Sequence, residues 1–158
     1  MSVKRGTIEV KEDLTKEVEQ ELNSKLVALG FEIIDDKKSR VVEKVKNLIT
    51  NLVYFRDNNF KTNLSDYIVA NIGQDYSYIS NLFSQQENST IEHYYILQKI
   101  EKVKELLIYD EFSVNEIALQ LNYSSASHLS KQFKRVTGLT PSAFKNAKEQ
   151  RRVSLENL

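Results

Sequence analysis

Residues 113–141, SVNEIALQLNYSSASHLSKQFKRVTGLTP, parse into two helices, a third helix start and the turns between them. Ser113 is a helix N-cap, and Glu116 three residues on completes a capping box, in which each side chain satisfies a backbone N–H of the other residue. Leu121-Asn122-Tyr123 turns the chain, and Ser124 or Ser125 opens the next helix. Gly138 stops that helix, because glycine alone takes the left-handed terminal conformation without a steric penalty. Thr140-Pro141 then starts another, with proline at the first helical position, where its missing N–H is not needed. Two helices crossing over a tight turn are a helix-turn-helix unit.

The same arrangement stands earlier in the chain. Asn63 caps a short helix carrying Leu64, Tyr67, Ile68 and Ile72, Gly73-Gln74 turns, and Asp75 caps a helix with Ile79, Leu82 and Phe83 inward. Residues 63–84 and 113–134 thus repeat a pattern at a separation of fifty residues. One helical pair is often plain packing, but two copies point to a shared task. Between them Ile91, Tyr95, Ile96, Ile100, Val103 and Leu107 mark a long helix from Thr90 to Tyr109, about 30 Å at ~1.5 Å per residue. Major-groove faces on one side of B-DNA repeat at ~34 Å. Upstream, Val41, Val45, Leu48 and Leu52 define a first helix ending near Phe55. With four glycines and one proline, breakers are scarce. The expected fold is mainly α: a seven-helix domain with two helix-turn-helix units joined by a long helix.

Composition sets the outer limits. A chain of 158 residues, 41% apolar and 28% charged, is an ordinary globular protein of one domain, with room for a small appendage. No apolar run reaches the ~20 residues of a membrane span, and the N-terminus lacks a signal-peptide pattern, so a cytoplasmic protein is expected. The absence of cysteine removes disulfides, thiolate nucleophiles and cysteine metal sites. The net charge of zero hides an asymmetry: residues 1–39 hold seven bases and nine acids, residues 40–158 fifteen and thirteen. Between His128 and Arg152 there are seven bases and a single acid, Glu149. This is either a footprint for phosphate or a solvated basic helix end.

The segments Lys99-Ile100-x-x-Val103-x-x-Leu106-Leu107, Ile117-Ala118-x-x-Leu121-Asn122-Tyr123 and Leu129-x-x-x-Phe133-Lys134-x-x-x-Gly138-x-x-Pro141-x-x-Phe144-Lys145 resemble the signature of AraC-type transcriptional regulators. The resemblance spans about Arg40 to Lys145 and implies regulation of bacterial transcription through double-stranded DNA, with RNA polymerase as a further partner. By position it implies that Leu129 and Phe133 are buried. It also implies that Ala126, Ser127, His128, Lys131 and Gln132 lie at the bases, with Lys134 and Arg135 near the backbone and Ser125 a further DNA-binding residue. The chemistry is workable: Lys131 can donate to guanine, Gln132 can pair bidentately with adenine, and Ala126 can touch a thymine methyl. The corresponding residues of the first unit are Tyr76, Ser77, Tyr78, Ser80 and Asn81. Asn81 could read adenine, Ser77 and Ser80 could bond bases or phosphates, and the tyrosines could bond phosphates, but lysine and arginine are absent there. Asn122, where glycine is common, tolerates the left-handed conformation.

In front, Thr7–Val10 and Phe31–Ile33 read as short strands around a helix marked by Leu14, Val18, Leu22, Leu26 and Leu29. This small β-α-β segment resembles half of a ferredoxin-like, heavy-metal-associated domain. That family binds metal through cysteines absent here, so no metal is expected, and no cofactor either. The expected organisation is an appendage over 1–38 for dimerisation or regulation, a DNA-binding domain over 39–148, and a basic, flexible tail over 149–158. No nucleophile triad, paired histidine ligands or phosphate loop suggests an enzyme. The competing reading is a protein-interaction module that keeps the fold without strong DNA binding.

Overall fold

The computed structural model describes residues 2–4, 7–9, 15–29, 36–55 and 62–157. The chain divides into two compact units, Met1–Asp36 and Lys37–Leu158.

The first unit has strands β1 (Ser2–Lys4) and β2 (Thr7–Glu9), paired antiparallel with Val3 opposite Ile8. Helix α1 (Lys16–Ala28) follows, capped by Thr15. The order is therefore strand, strand, helix, which does not support the β-α-β reading or a ferredoxin-like half-domain. Thr7–Glu9 pairs backwards with residues at the chain start, and the proposed strand Phe31–Ile33 lies outside the described residues. No residue of α1 is buried, and Val18, Val27 and Leu29 are exposed.

The second unit has seven helices among its described residues: α2 (Asp36–Tyr54), α3 (Leu64–Ile72), α4 (Tyr76–Glu87), α5 (Ile91–Tyr109), α6 (Val114–Gln120), α7 (Ala126–Thr137) and α8 (Pro141–Glu156). Helix α2 begins a turn before Arg40. Helix α8 continues through residues 149–156, where a separate flexible tail was expected. The reason is that Glu149 to Glu156 contains no breaker, and Arg152 pairs with Glu156 one turn on at 3.5 Å. Among the described residues no helix is long and apolar enough to cross a membrane.

The caps follow the sequence closely. Asn63, Thr90, Ser113, Ser125 and Thr140 each accept a hydrogen bond from the backbone N–H three residues on, and Ser113 with Glu116 closes the full capping box. Gly73 and Gly138 end α3 and α7 in left-handed conformation. Asn88, Asp110 and Asn122 take the same conformation with side chains. Asn122 makes the turn of the second unit, as its tolerance of that region suggested.

Helix α5 runs through the middle of this unit and meets α4, α6, α7 and α8. Its buried Ile91, Ile100, Val103, Leu106 and Leu107 join Val42, Val45 and Ile49 of α2, Ile79 and Phe83 of α4, and Leu129 and Phe133 of α7 in one core. Edge-to-face ring pairs fasten the ends, Phe83 with Tyr94 at 5.6 Å and Phe133 with Phe144 at 5.5 Å. Two helix-turn-helix units are thereby braced on one rod.

Candidate nucleic-acid interface

Helix α7 is sharply two-sided. Leu129 and Phe133, four residues apart, are fully buried. Ser127, His128, Lys131, Lys134 and Arg135 stand exposed around the opposite face, with Ala126 and Gln132 half-buried at its edge. This spacing is the helical period, so burying the apolar pair turns the polar set outward without further instruction. Ser125 is exposed, but its oxygen accepts the His128 N–H at 3.0 Å and so completes the helix start. The Ser124 hydroxyl lies 3.1 Å from His128 Nδ1, which steadies the imidazole at the first turn.

Behind this face sits a cluster that composition did not reveal. Tyr123, from the turn, is buried, and its hydroxyl donates to Gln132 Oε1 at 2.6 Å. The His128 ring meets the Tyr123 ring edge-on at 5.4 Å. Lys99 of α5 is buried, with its ammonium 3.7 Å from the Tyr123 ring centre and 5.1 Å from that of Tyr95. Burial pulls the Lys99 pKa down to about 8 and pushes the Tyr123 hydroxyl up, so both favour their neutral forms more than in water. The amide oxygen that a bidentate pairing of Gln132 with adenine would use is thus turned towards Tyr123.

Helix α4 presents a different surface. Ser77, Tyr78 and Asn81 are exposed and Ser80 is half-buried, with no base along the helix. Tyr76 is half-buried, and its hydroxyl donates to the Glu92 carboxylate of α5. Burial, then this bond, raise its pKa. Its hydroxyl hydrogen, which a phosphate contact by Tyr76 would use, is thus directed to Glu92. Asp75 stands at the N-cap position of α4 yet makes no side-chain cap bond, so its expected capping role is not realised. Lys46 of α2 reaches Glu87 in the last turn of α4 at 2.5 Å and Glu43 at 3.4 Å, fastening the far end of the helix.

Two such units on one long helix match a known domain model: residues 68–147 fit a helix-turn-helix domain family. The chain belongs to the AraC-type helix-turn-helix family. The matched span runs from within α3 into α8, so it takes in most of the first unit, the long helix and all of the second unit. An HTH-type transcriptional regulator from the cgkA 5' region of Pseudoalteromonas carrageenovora is 27% identical over 114 residues, 70% of this chain and 68% of that protein. The regulator YtdP of Bacillus subtilis is 23% identical over 72% of this chain, and a Staphylococcus aureus regulator 27% over 70%. The chain spans only 15% and 14% of those two proteins.

Solved structures share the AraC-type fold. The DNA-binding domain of AdpA, crystallised with a target DNA, superposes with a TM-score of 0.60 at 20% identity, covering 70% of this chain and 95% of that one. The C-terminal domain of the response regulator AraT from Geobacillus stearothermophilus gives 0.59 at 20% identity, covering 68% and 84%. Among the described residues of this AraC-type chain, no cluster of three or more histidine, aspartate or glutamate side chains could hold a metal ion.

Proposed function

We propose that this AraC-type chain is a bacterial, cytoplasmic regulator that binds one duplex across two successive major grooves and acts through contact with RNA polymerase. The observation that carries this reading is the solvent-facing Lys131, Lys134 and Arg135 set on a helix whose other side is locked into the core. Helix α7 reads bases with Ala126, Ser127, His128 and Lys131, while Lys134 and Arg135 bind phosphates. Ser125 holds the start of the helix in place. Helix α4 occupies the neighbouring groove through Ser77, Tyr78, Ser80 and Asn81 and contributes less affinity, having no cation. The nineteen residues of α5 span about 28 Å at ~1.5 Å each, close to one turn of B-DNA. The segment before the domain serves self-association.

The experiment is selection of duplexes from a random pool, followed by binding at several salt concentrations. Neutralised phosphates release counterions, so affinity falls steeply with salt. Removing Lys134 or Arg135 weakens binding to all sequences and lowers the salt slope by about 1 each. Lys131→Ala relaxes the preference at one base position, at a cost of roughly 1–3 kcal/mol. Binding to no duplex in a salt-sensitive manner would falsify this reading and favour a protein-interaction module, to which the uncharged face of α4 is equally suited.

A further inference from the structure

We infer that Tyr123 locks Gln132 of α7 into the role of a hydrogen-bond donor, so that this position selects guanine over adenine. The inference rests on the DNA-binding reading above and deepens it to one base position.

The chain of causes begins with a buried phenol. Tyr123 is 6% exposed, with the Lys99 ammonium under one face and the His128 ring against its edge. A buried O–H must find an acceptor, because leaving it unmet costs about 1–3 kcal/mol. Among the described residues its acceptor is Gln132 Oε1, at 2.6 Å. The Lys99 ammonium can only donate, so it cannot take the tyrosine proton. That need fixes which end of the amide points inward: the oxygen faces Tyr123, and the NH₂ group faces away.

Nε2 has no protein partner among the described residues. No buried side-chain nitrogen or oxygen among them lacks a partner, so Nε2 must reach solvent. The half-buried Gln132 lies between exposed Lys131 and Arg135, one turn beyond exposed His128. A free glutamine reads adenine by accepting from N6 and donating to N7. Here Oε1 is turned inward to Tyr123, and the outward end of the amide carries two donors. The base edge that offers two adjacent acceptors is guanine, through O6 and N7. Tyr123 is thus a positioning residue that sets the polarity of a reader it does not replace.

The test uses the full chain and the random-pool selection, read out as base preference at each position. Wild type is expected to favour guanine over adenine about tenfold at one position assigned by loss of its preference in Gln132→Ala. Tyr123→Phe, which frees Oε1, is expected to shift that same position towards adenine, with the salt slope unchanged. Gln132→Glu keeps the acceptor for Tyr123 but has no donor, and is expected to move the position towards cytosine, whose N4 donates. The double variant of Tyr123→Phe and Gln132→Ala should match Gln132→Ala alone.

The inference is overturned if Gln132→Ala leaves every position unchanged, or if its position favours adenine in wild type. It is also overturned if Tyr123→Phe alters only positions that Gln132→Ala does not. If Tyr123→Phe does not fold, the Ala and Glu variants of Gln132 decide alone: an unchanged guanine preference in both overturns it. Wild type that binds no duplex sinks the DNA-binding reading itself, an outcome separate from binding with the wrong base at this position.

Discussion

Lys99 shows how much one side chain can depend on its surroundings. Lys99 has no carboxylate partner among the described residues, which is unusual in a core, and burial holds its pKa at about 8 against an ordinary 10.5. Between those two values the unfolded chain keeps the proton and the folded one releases it. The unfolded state then binds more protons, so stability rises with pH across that window. Below pH 8 the folded protein carries the cost of a buried ammonium, partly offset by the faces of Tyr123 and Tyr95 at about 0.5–2 kcal/mol. The rise is read most cleanly below pH 10, before tyrosines exposed by unfolding begin to ionise. Lys99→Met keeps the stem and removes the charge. We expect it to raise stability at pH 7 by about 1 kcal/mol and to flatten the rise between pH 8 and pH 10, followed by urea unfolding at each pH. At this scale the sequence was a partial guide. Lys131, Lys134 and Arg135 were legible because helical spacing alone turns them away from Leu129 and Phe133. The commitments of Tyr76 to Glu92 and Tyr123 to Gln132 were not, since each joins residues nine or more apart whose meeting depends on packing.

Among the elements, helix starts were the most readable feature, because a cap is a local event within four residues. Ser113 carries a complete box: its oxygen accepts from the Glu116 N–H at 3.2 Å, and Glu116 accepts from its N–H at 2.6 Å. Asp75 has the right residue type at the right place and forms no such bond. The two substitutions should therefore diverge in a thermal melt. Ser113→Ala is expected to cost about 1–2 kcal/mol. Asp75→Ala loses only the attraction of a carboxylate for the helix start, about 0.3–1 kcal/mol, and should strengthen DNA binding by removing a negative charge from α4. Equal losses in both would show that the difference in capping has no energetic weight. The pairing of Thr7–Glu9 and the flexible tail were misread for opposite reasons. A three-residue alternation is too short to name a pairing partner, whereas a charged stretch without glycine or proline remains a good helix.

For the molecule as a whole, the unit Lys37–Leu158 was largely legible, because its apolar spacing, caps and internal repeat agree with one another. The unit Met1–Asp36 was not, as its short strands and a helix with no buried residue leave little pattern to read. That uncovered helix motivates the self-association proposal. Light scattering after size exclusion should give more than one chain per particle at tens of micromolar for the whole protein, and one chain after deletion of residues 1–38. A monomer in both cases would remove the proposal.

One feature of the helical unit reaches beyond binding strength. Helix α7 meets solvent with three cations, and α4, on the same rod, with none. A symmetric pair of identical readers can sit on a palindrome either way round. Two unlike readers on one chain cannot, so a duplex engaged by both would have a head and a tail. Such a protein would face a defined direction along the chromosome, and reversing the site would turn it away from the gene that it serves.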